Sequence, residues 1–167
     1  MLLVKVFQLL NKHKVRYLVA GGVATVLYGN PRFTKDLDLF VDLEEKNLRK
    51  LVEVFELLKF NPRIPVKAEE FVSQKTRERW IREKGMLAFT FINPKNPFEN
   101  VDILLSSPIS FQHAYRRKKM FRSEGVHIPT VSRGDLIQMK NKAGRAQDLY
   151  DVAILEAVTK SKDRKKK

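Results

Sequence analysis

Lys35-Asp36-Leu37-Asp38-Leu39-Phe40-Val41 alternates along its whole length. On a strand, Leu37, Leu39 and Val41 point one way and Asp36, Asp38 and Phe40 the other. Asp36 and Asp38 therefore share a face, with Cα atoms roughly 7 Å apart. Two like charges at that spacing repel unless a cation sits between them. A solvent-facing acidic strand is the plain alternative, and it fits poorly in a chain of net charge +14.

Upstream, residues 2–13 carry Leu2, Leu3, Val6, Leu9 and Leu10 at helical spacing. Residues 15–20 read as a short buried strand. Gly21-Gly22 ends it, and Val23 to Tyr28 suits a short helix closed by Gly29-Asn30-Pro31. Glycines between strand and helix permit close backbone approach, and helix-start N–H groups can receive phosphate oxygens. The same glycines also serve a tight turn for steric reasons alone.

Downstream, Asp42 and Glu45 have capping-box spacing, with Asp for the usual Ser or Thr, and open a helix to about Lys59. Its buried stripe is Leu48, Leu51, Val52, Phe55 and Leu58. Asn61-Pro62 and Pro65 mark a loop. Residues 68–84 read as one charged amphipathic helix closed by Gly85. There Trp80 and Ile81 face the core, and Arg77, Arg79, Arg82 and Lys84 form a solvated face. A strand over 86–92, a loop with Pro94 and Pro97, and a strand over 100–105 follow. Within that last strand Asp102 sits among apolar neighbours, costly if buried without a partner. It is either an edge or salt-bridged residue, or the third member of a carboxylate cluster if its strand lies beside 35–41.

A helix near 109–116 and strands near 118–122 and 126–131 come next. Ser132 and Asp135 start a helix to about Lys142, and Gly144 separates it from a last helix at 146–159. Lys140 shares a face with Leu136 and Ile137, and Asp148 with Val152 and Leu155. Lys140 either reaches inward or snorkels out. The content is α/β (α+β): a mixed sheet flanked by helices, without regular βαβ repeats. One domain over 1–159 is expected, with 132–159 as a C-terminal helical pair and 160–167 as a basic disordered tail.

Of the net charge, +5 lies in residues 160–167 and +9 in the remainder. A basic body suits a polyanionic partner such as RNA, or equally a well-solvated surface. Arg116-Arg117-Lys118-Lys119 is the densest local patch, offering charge without interleaved aromatics. With no cysteine, disulfides and thiolate metal sites are excluded. His13, His113 and His127 lack metal-ligand spacing. No apolar run approaches the ~18 residues of a membrane span, and the N-terminus lacks signal-peptide features. A cytoplasmic location without membrane association is expected.

Gly-Gly, thirteen intervening residues, Asp-Leu-Asp-Leu and a later apolar-Asp-apolar strand together resemble the DNA-polymerase-beta-type nucleotidyltransferase superfamily. Tyr17-Leu18-Val19-Ala20-Gly21-Gly22-Val23-Ala24 and Arg32-Phe33-Thr34-Lys35-Asp36-Leu37-Asp38-Leu39 resemble the AbiEii-like nucleotidyltransferases, a group that includes toxins of toxin–antitoxin and abortive-infection systems. Leu136-Ile137-Gln138-Met139-Lys140 with Arg145-Ala146-Gln147-Asp148-Leu149-Tyr150-Asp151 is similar to their C-terminal motif. The likeness spans about residues 2–158.

The resemblance implies a nucleotidyltransferase fold and a transfer of nucleoside monophosphate from a nucleoside triphosphate to a hydroxyl. It implies Mg2+ or Mn2+ held by Asp36, Asp38 and Asp102, with Asp102 also helping to activate the acceptor. Gly21 and Gly22 would cradle phosphates, although the superfamily more often has Gly-Ser there. Lys140, Arg145 and Asp148 would join the nucleotide site, and Arg32 either contacts phosphate or pairs with an acid. The acceptor is RNA or tRNA by charge, or a protein side chain or small molecule, and a cognate antitoxin or toxin is an implied partner. Two competing readings are a catalytically idle binding module or antitoxin on the same fold, and an RNA-binding protein with incidental acids.

Overall fold

Leu37–Val41 forms β2, and the sheet is built around it. The computed structural model describes residues 2–164. Elements preceding β2 are α1 (Leu2–Lys12), β1 (Tyr17–Val19) and α2 (Gly21–Leu27). After β2 come α3 (Glu45–Leu57), β3 (Asn61–Pro62), α4 (Ala68–Val72), α5 (Gln74–Lys84), β4 (Ala88–Asn93) and β5 (Asn96–Leu104). The chain continues through α6 (Phe111–Arg116), β6 (Lys119–Ser123), β7 (Val126–Thr130), α7 (Arg133–Ala143) and α8 (Ala146–Arg164). Among the described residues the sheet has seven strands in the order β3-β4-β5-β2-β1-β7-β6. It is mixed: β2 runs parallel to β5 and β1 to β7, and the remaining neighbours are antiparallel. The fold class is thus the α/β type expected, with helices packed on a mixed sheet.

β2 lies in the interior of the sheet, so both its faces are covered. Leu37, Leu39 and Val41 are buried on one side, and Phe40 is buried on the other against the edge of Phe111. Asp38 is the polar residue inside this strand. Helices α1 and α3 pack on each other, α2 contacts both β2 and α7, and α7 packs along α8. Stacked rings pin α4 and α5 to the sheet: Phe71 on Phe89 at 4.5 Å and Trp80 on Phe89 at 5.5 Å. Such pairs each add about 0.5–1.5 kcal/mol beyond the apolar area they bury.

Several local expectations change. The chain over 68–84 is two helices, broken at Ser73, whose side chain accepts the Thr76 N–H and caps α5. Arg77 is buried rather than solvated, donating to the carbonyls of Phe71, Val72 and Leu43. It satisfies carbonyls that the helix break leaves without intrahelical partners. Ile81 is exposed, while Trp80 is buried. Asp42 does not cap α3, because Arg16 claims its carboxylate at 2.6 Å and the helix begins at Glu45 with Glu44 as N-cap. β5 starts at Asn96, and a register shift between Ile92 and Asn93 places Pro94 and Pro97 where the ladder is irregular. Ser132 does cap α7, accepting the Asp135 N–H at 3.1 Å, and α7 closes on Gly144 at φ 67°. α8 runs on to Arg164, so the basic segment expected as disordered from 160 is helical that far; residues 165–167 lie outside the described residues.

Candidate active site

Asp38 and Asp102 are register partners in the adjacent parallel strands β2 and β5. Partners in register project from the same sheet face, so the two carboxylates are neighbours. Asp102 Oδ1 accepts the Thr90 hydroxyl at 2.6 Å. Asp38 Oδ2 accepts the Gly22 backbone N–H at 3.4 Å. Burial first, then the Asp102 charge, push the Asp38 carboxyl up to about 6; Asp36 adds to the push, while Gly22 and Lys140 oppose it. Asp36 precedes the strand, is exposed, and accepts from Asn100 Nδ2 at 3.4 Å.

These residues fit a hard divalent cation. The donors are carboxylate oxygens, and the negative charge of an ionised Asp38 beside Asp102 is offset in part by Lys140. Among the described residues no three acidic or imidazole groups converge closely enough to hold a metal by themselves. Magnesium is commonly held by one or two carboxylates together with substrate phosphates, which is what the Asp38–Asp102 pair offers.

The glycine turn is shaped around Asp38. Gly21 has φ 55°, and a Cβ there would collide with the Asp38 carboxylate. A Cβ on Gly22 would meet the Thr34 side chain and, at 2.8 Å, Arg32 Nη2. Gly21 needs glycine for backbone conformation and close approach, and at Gly22 a side chain would require Thr34 and Arg32 to shift.

A cleft of about 530 Å³ opens beside the pair. Gly21 and Asp38 form one wall; Lys140, Lys142, Arg145 and Asp148 form another. Leu87, Leu104, Pro108 and Met139 supply apolar surface. Gly22, Arg32, Asp36 and Asp102 stand beside the cleft rather than on its lining. The wall from the C-terminal helices is wired internally. Lys140, 4% exposed, donates to Asp151 at 2.7 Å and to Asp148 at 3.4 Å. Arg145 Nε donates to Asp148 at 2.7 Å. Burial works to raise the Asp148 carboxyl, but the Arg145 and Lys140 contacts outweigh it and hold it below the ordinary range. The same Asp148 contact raises Arg145.

Asp151 was not among the expected site residues. Fully buried, it lies 3.1 Å from Arg32 Nε and accepts from Asn30 and Gln147, besides Lys140. Its sequence signal is its place one helical turn before the buried Leu155 and three residues after Asp148. Of the two readings of Arg32, pairing with an acid is the one seen in the fold.

The family model described as "Nucleotidyl transferase AbiEii toxin, Type IV TA system" matches residues 9–165. The chain belongs to this AbiEii family. It is accordingly a nucleotidyltransferase, and solved nucleotidyltransferase structures share its fold. The lincosamide antibiotic adenylyltransferase LnuA, lincomycin-bound, aligns with TM-score 0.62 and 15% identity over 93% of this chain and 95% of that one. ANT(2")-Ia in complex with adenylyl-2"-tobramycin gives TM-score 0.59 and 12% identity over 95% and 91%. A putative nucleotidyltransferase from Thermotoga maritima gives 0.56 and 17% over 99% and 92%. No curated protein sequence matches. At these identities the structural likeness of the AbiEii-family chain to its neighbours is one of fold.

Proposed function

We propose that this AbiEii-family enzyme transfers a nucleoside monophosphate from a nucleoside triphosphate to a hydroxyl of an RNA acceptor, with Mg2+ or Mn2+. The observation that carries the reading is the in-register Asp38–Asp102 pair at the edge of a cleft with a basic wall. Asp38 and Asp102 would hold the divalent ion, with Asp36 at the exposed approach to them. When bound, such an ion neutralises charge on the departing oxygens and makes the acceptor oxygen a better nucleophile. Lys140, Lys142 and Arg145 place positive charge along the wall where a triphosphate would lie. The Gly21-Gly22 turn brings backbone close to the same place. Leu87, Leu104 and Met139 offer apolar surface to a base. Asp102 would accept the proton of the attacking hydroxyl. The acceptor oxygen forms a bond to the α-phosphorus, the bond to the bridging oxygen breaks, and pyrophosphate leaves with that electron pair.

The net charge of +14 supports RNA as acceptor, and the family's type IV description supports a cognate antitoxin. The test is transfer into a cell extract from each of four triphosphates, labelled on either the α- or the γ-phosphate. Label from the α position should enter RNA and label from the γ position should not. Entry of α-label only into small molecules or protein would replace RNA as the acceptor class. No entry into any fraction, with metal present, would contradict transfer.

A further inference from the structure

Among the described residues, the large hydrophobic side chains most exposed to solvent are Phe33 at 80%, Leu87 at 72% and Phe98 at 70%. Leu87 lies on the cleft, and its exposure is explained there. Phe33 and Phe98 flank the other end of the carboxylate pair. Phe33 lies three residues before Asp36, and Phe98 four residues before Asp102. β2 and β5 are parallel with Leu37 opposite Val101, so both chains enter the sheet from one edge. The Asn100–Asp36 hydrogen bond carries that pairing one residue further back. Lys35 then reaches Phe98, with Nζ 5.7 Å from the ring centroid. Two exposed rings and an exposed lysine thus border the edge through which the two carboxylate strands begin.

The nucleotide cleft lies towards the opposite end, where β5 finishes at Leu104 and the chain turns through Ser106–Pro108. A hydroxyl attacking the α-phosphorus must come in opposite the leaving pyrophosphate. The entry edge is the side of the carboxylates left for it. Exposed phenyl rings cost free energy in water, and a ring next to a cation at a transfer centre suits a flat aromatic partner attached to an anion. Glu99 and Asp36 are nearby acids; Glu99 accepts from Asn93 Nδ2 at 2.6 Å and Asp36 from Asn100 Nδ2 at 3.4 Å. A nucleobase with its phosphate has the required shape and charge.

We infer that Phe33 and Phe98 form a base-stacking platform that seats a single-stranded RNA acceptor, with Lys35 beside its phosphate. This rests on the transfer reading above. The probe is a fluorescein-labelled oligoadenylate about twelve nucleotides long, bound to the full chain and followed by anisotropy. Replacing both rings by leucine (Phe33→Leu with Phe98→Leu) keeps apolar area and removes the π faces. Affinity should fall roughly tenfold or more, as loss of stacking on two rings requires. Phe33→Tyr with Phe98→Tyr should bind like the parent, and binding of a fluorescent ATP analogue should be the same in all three proteins. Parental oligonucleotide binding in the leucine variant, or none in the parent, overturns the platform whatever the transfer assay gives. Ring-dependent binding without label transfer to RNA leaves the platform standing and counts against the transfer reading instead.

Discussion

Lys140 and Asp151 form an ion pair of 2.7 Å in which the lysine side chain is 5% exposed and the aspartate fully buried. The pair joins α7 to α8 and, through Arg32 and Asn30, ties both to the loop that follows α2. Removing Lys140 leaves the fully buried Asp151 charge to be balanced by Arg32 at 3.1 Å, without its shorter ion pair. Lys140→Met should therefore destabilise the chain by about 3 kcal/mol, read by urea unfolding. Lys140→Met with Asp151→Leu should recover part of that loss. A single variant as stable as the parent would show that the pair carries no such weight.

Asp38 should give the metal-free protein a pH dependence of definite sign. Its carboxyl rises from an ordinary 3.8 to about 6 in the fold. A raised carboxyl favours the protonated form when folded. The stability it contributes is fully present below about pH 3.8 and is lost as pH rises through about 6. Asp38→Asn removes the ionisation. In chelator, the variant should melt above the parent at pH 8, and the difference should close towards pH 4. Equal melting temperatures at both pH values would show that Asp38 carries no unfavourable charge.

Gly21 should tolerate no side chain. Its φ of 55° costs an alanine about 1–2 kcal/mol, and the added Cβ would also displace the Asp38 carboxylate. Gly144→Ala is the comparison: φ is 67°, and its nearest contact is the Asn141 carbonyl oxygen at 3.7 Å. Gly144→Ala should show the conformational cost alone. Gly21→Ala should show that cost plus a loss of transfer activity, measured by calorimetry and the label assay together.

Much of this arrangement is legible in the chain itself. Alternation over 35–41 places Asp38 on a strand, and an Asp among Val101, Ile103 and Leu104 marks a second strand with a candidate carboxylate. Periodicity is local, however, and pairing is not. That Asp102 falls opposite Asp38 is a fact of register. Asp36 belongs to the same alternation yet precedes the strand, because β2 and β5 begin their ladder at Leu37 and Val101. Asp42 has the spacing of a cap, but an arginine 26 residues away takes its carboxylate. Arg77 looks solvated until the break at Ser73 frees the Phe71 and Val72 carbonyls, to which it donates. Helical spacing puts Lys140 and Asp148 on apolar faces and leaves open whether Lys140 reaches inward or out; in the fold both are buried. Asp151 has a weak signal in its helical spacing, and its partners appear when the loop carrying Asn30 and Arg32 is brought against α8.

The most direct measurement is label transfer from α-phosphate-labelled nucleoside triphosphate by the parent, Asp38→Asn and Asp102→Asn, each shown to be folded by circular dichroism. With Mg2+ or Mn2+ the parent should transfer label, and both variants should fall by roughly a hundredfold or more, the scale on which preorganised charge at a transfer centre acts. Chelator should abolish transfer by the parent. Folded Asp38→Asn and Asp102→Asn proteins that transfer label at the parent's rate would contradict the assignment of this carboxylate pair as the transfer centre.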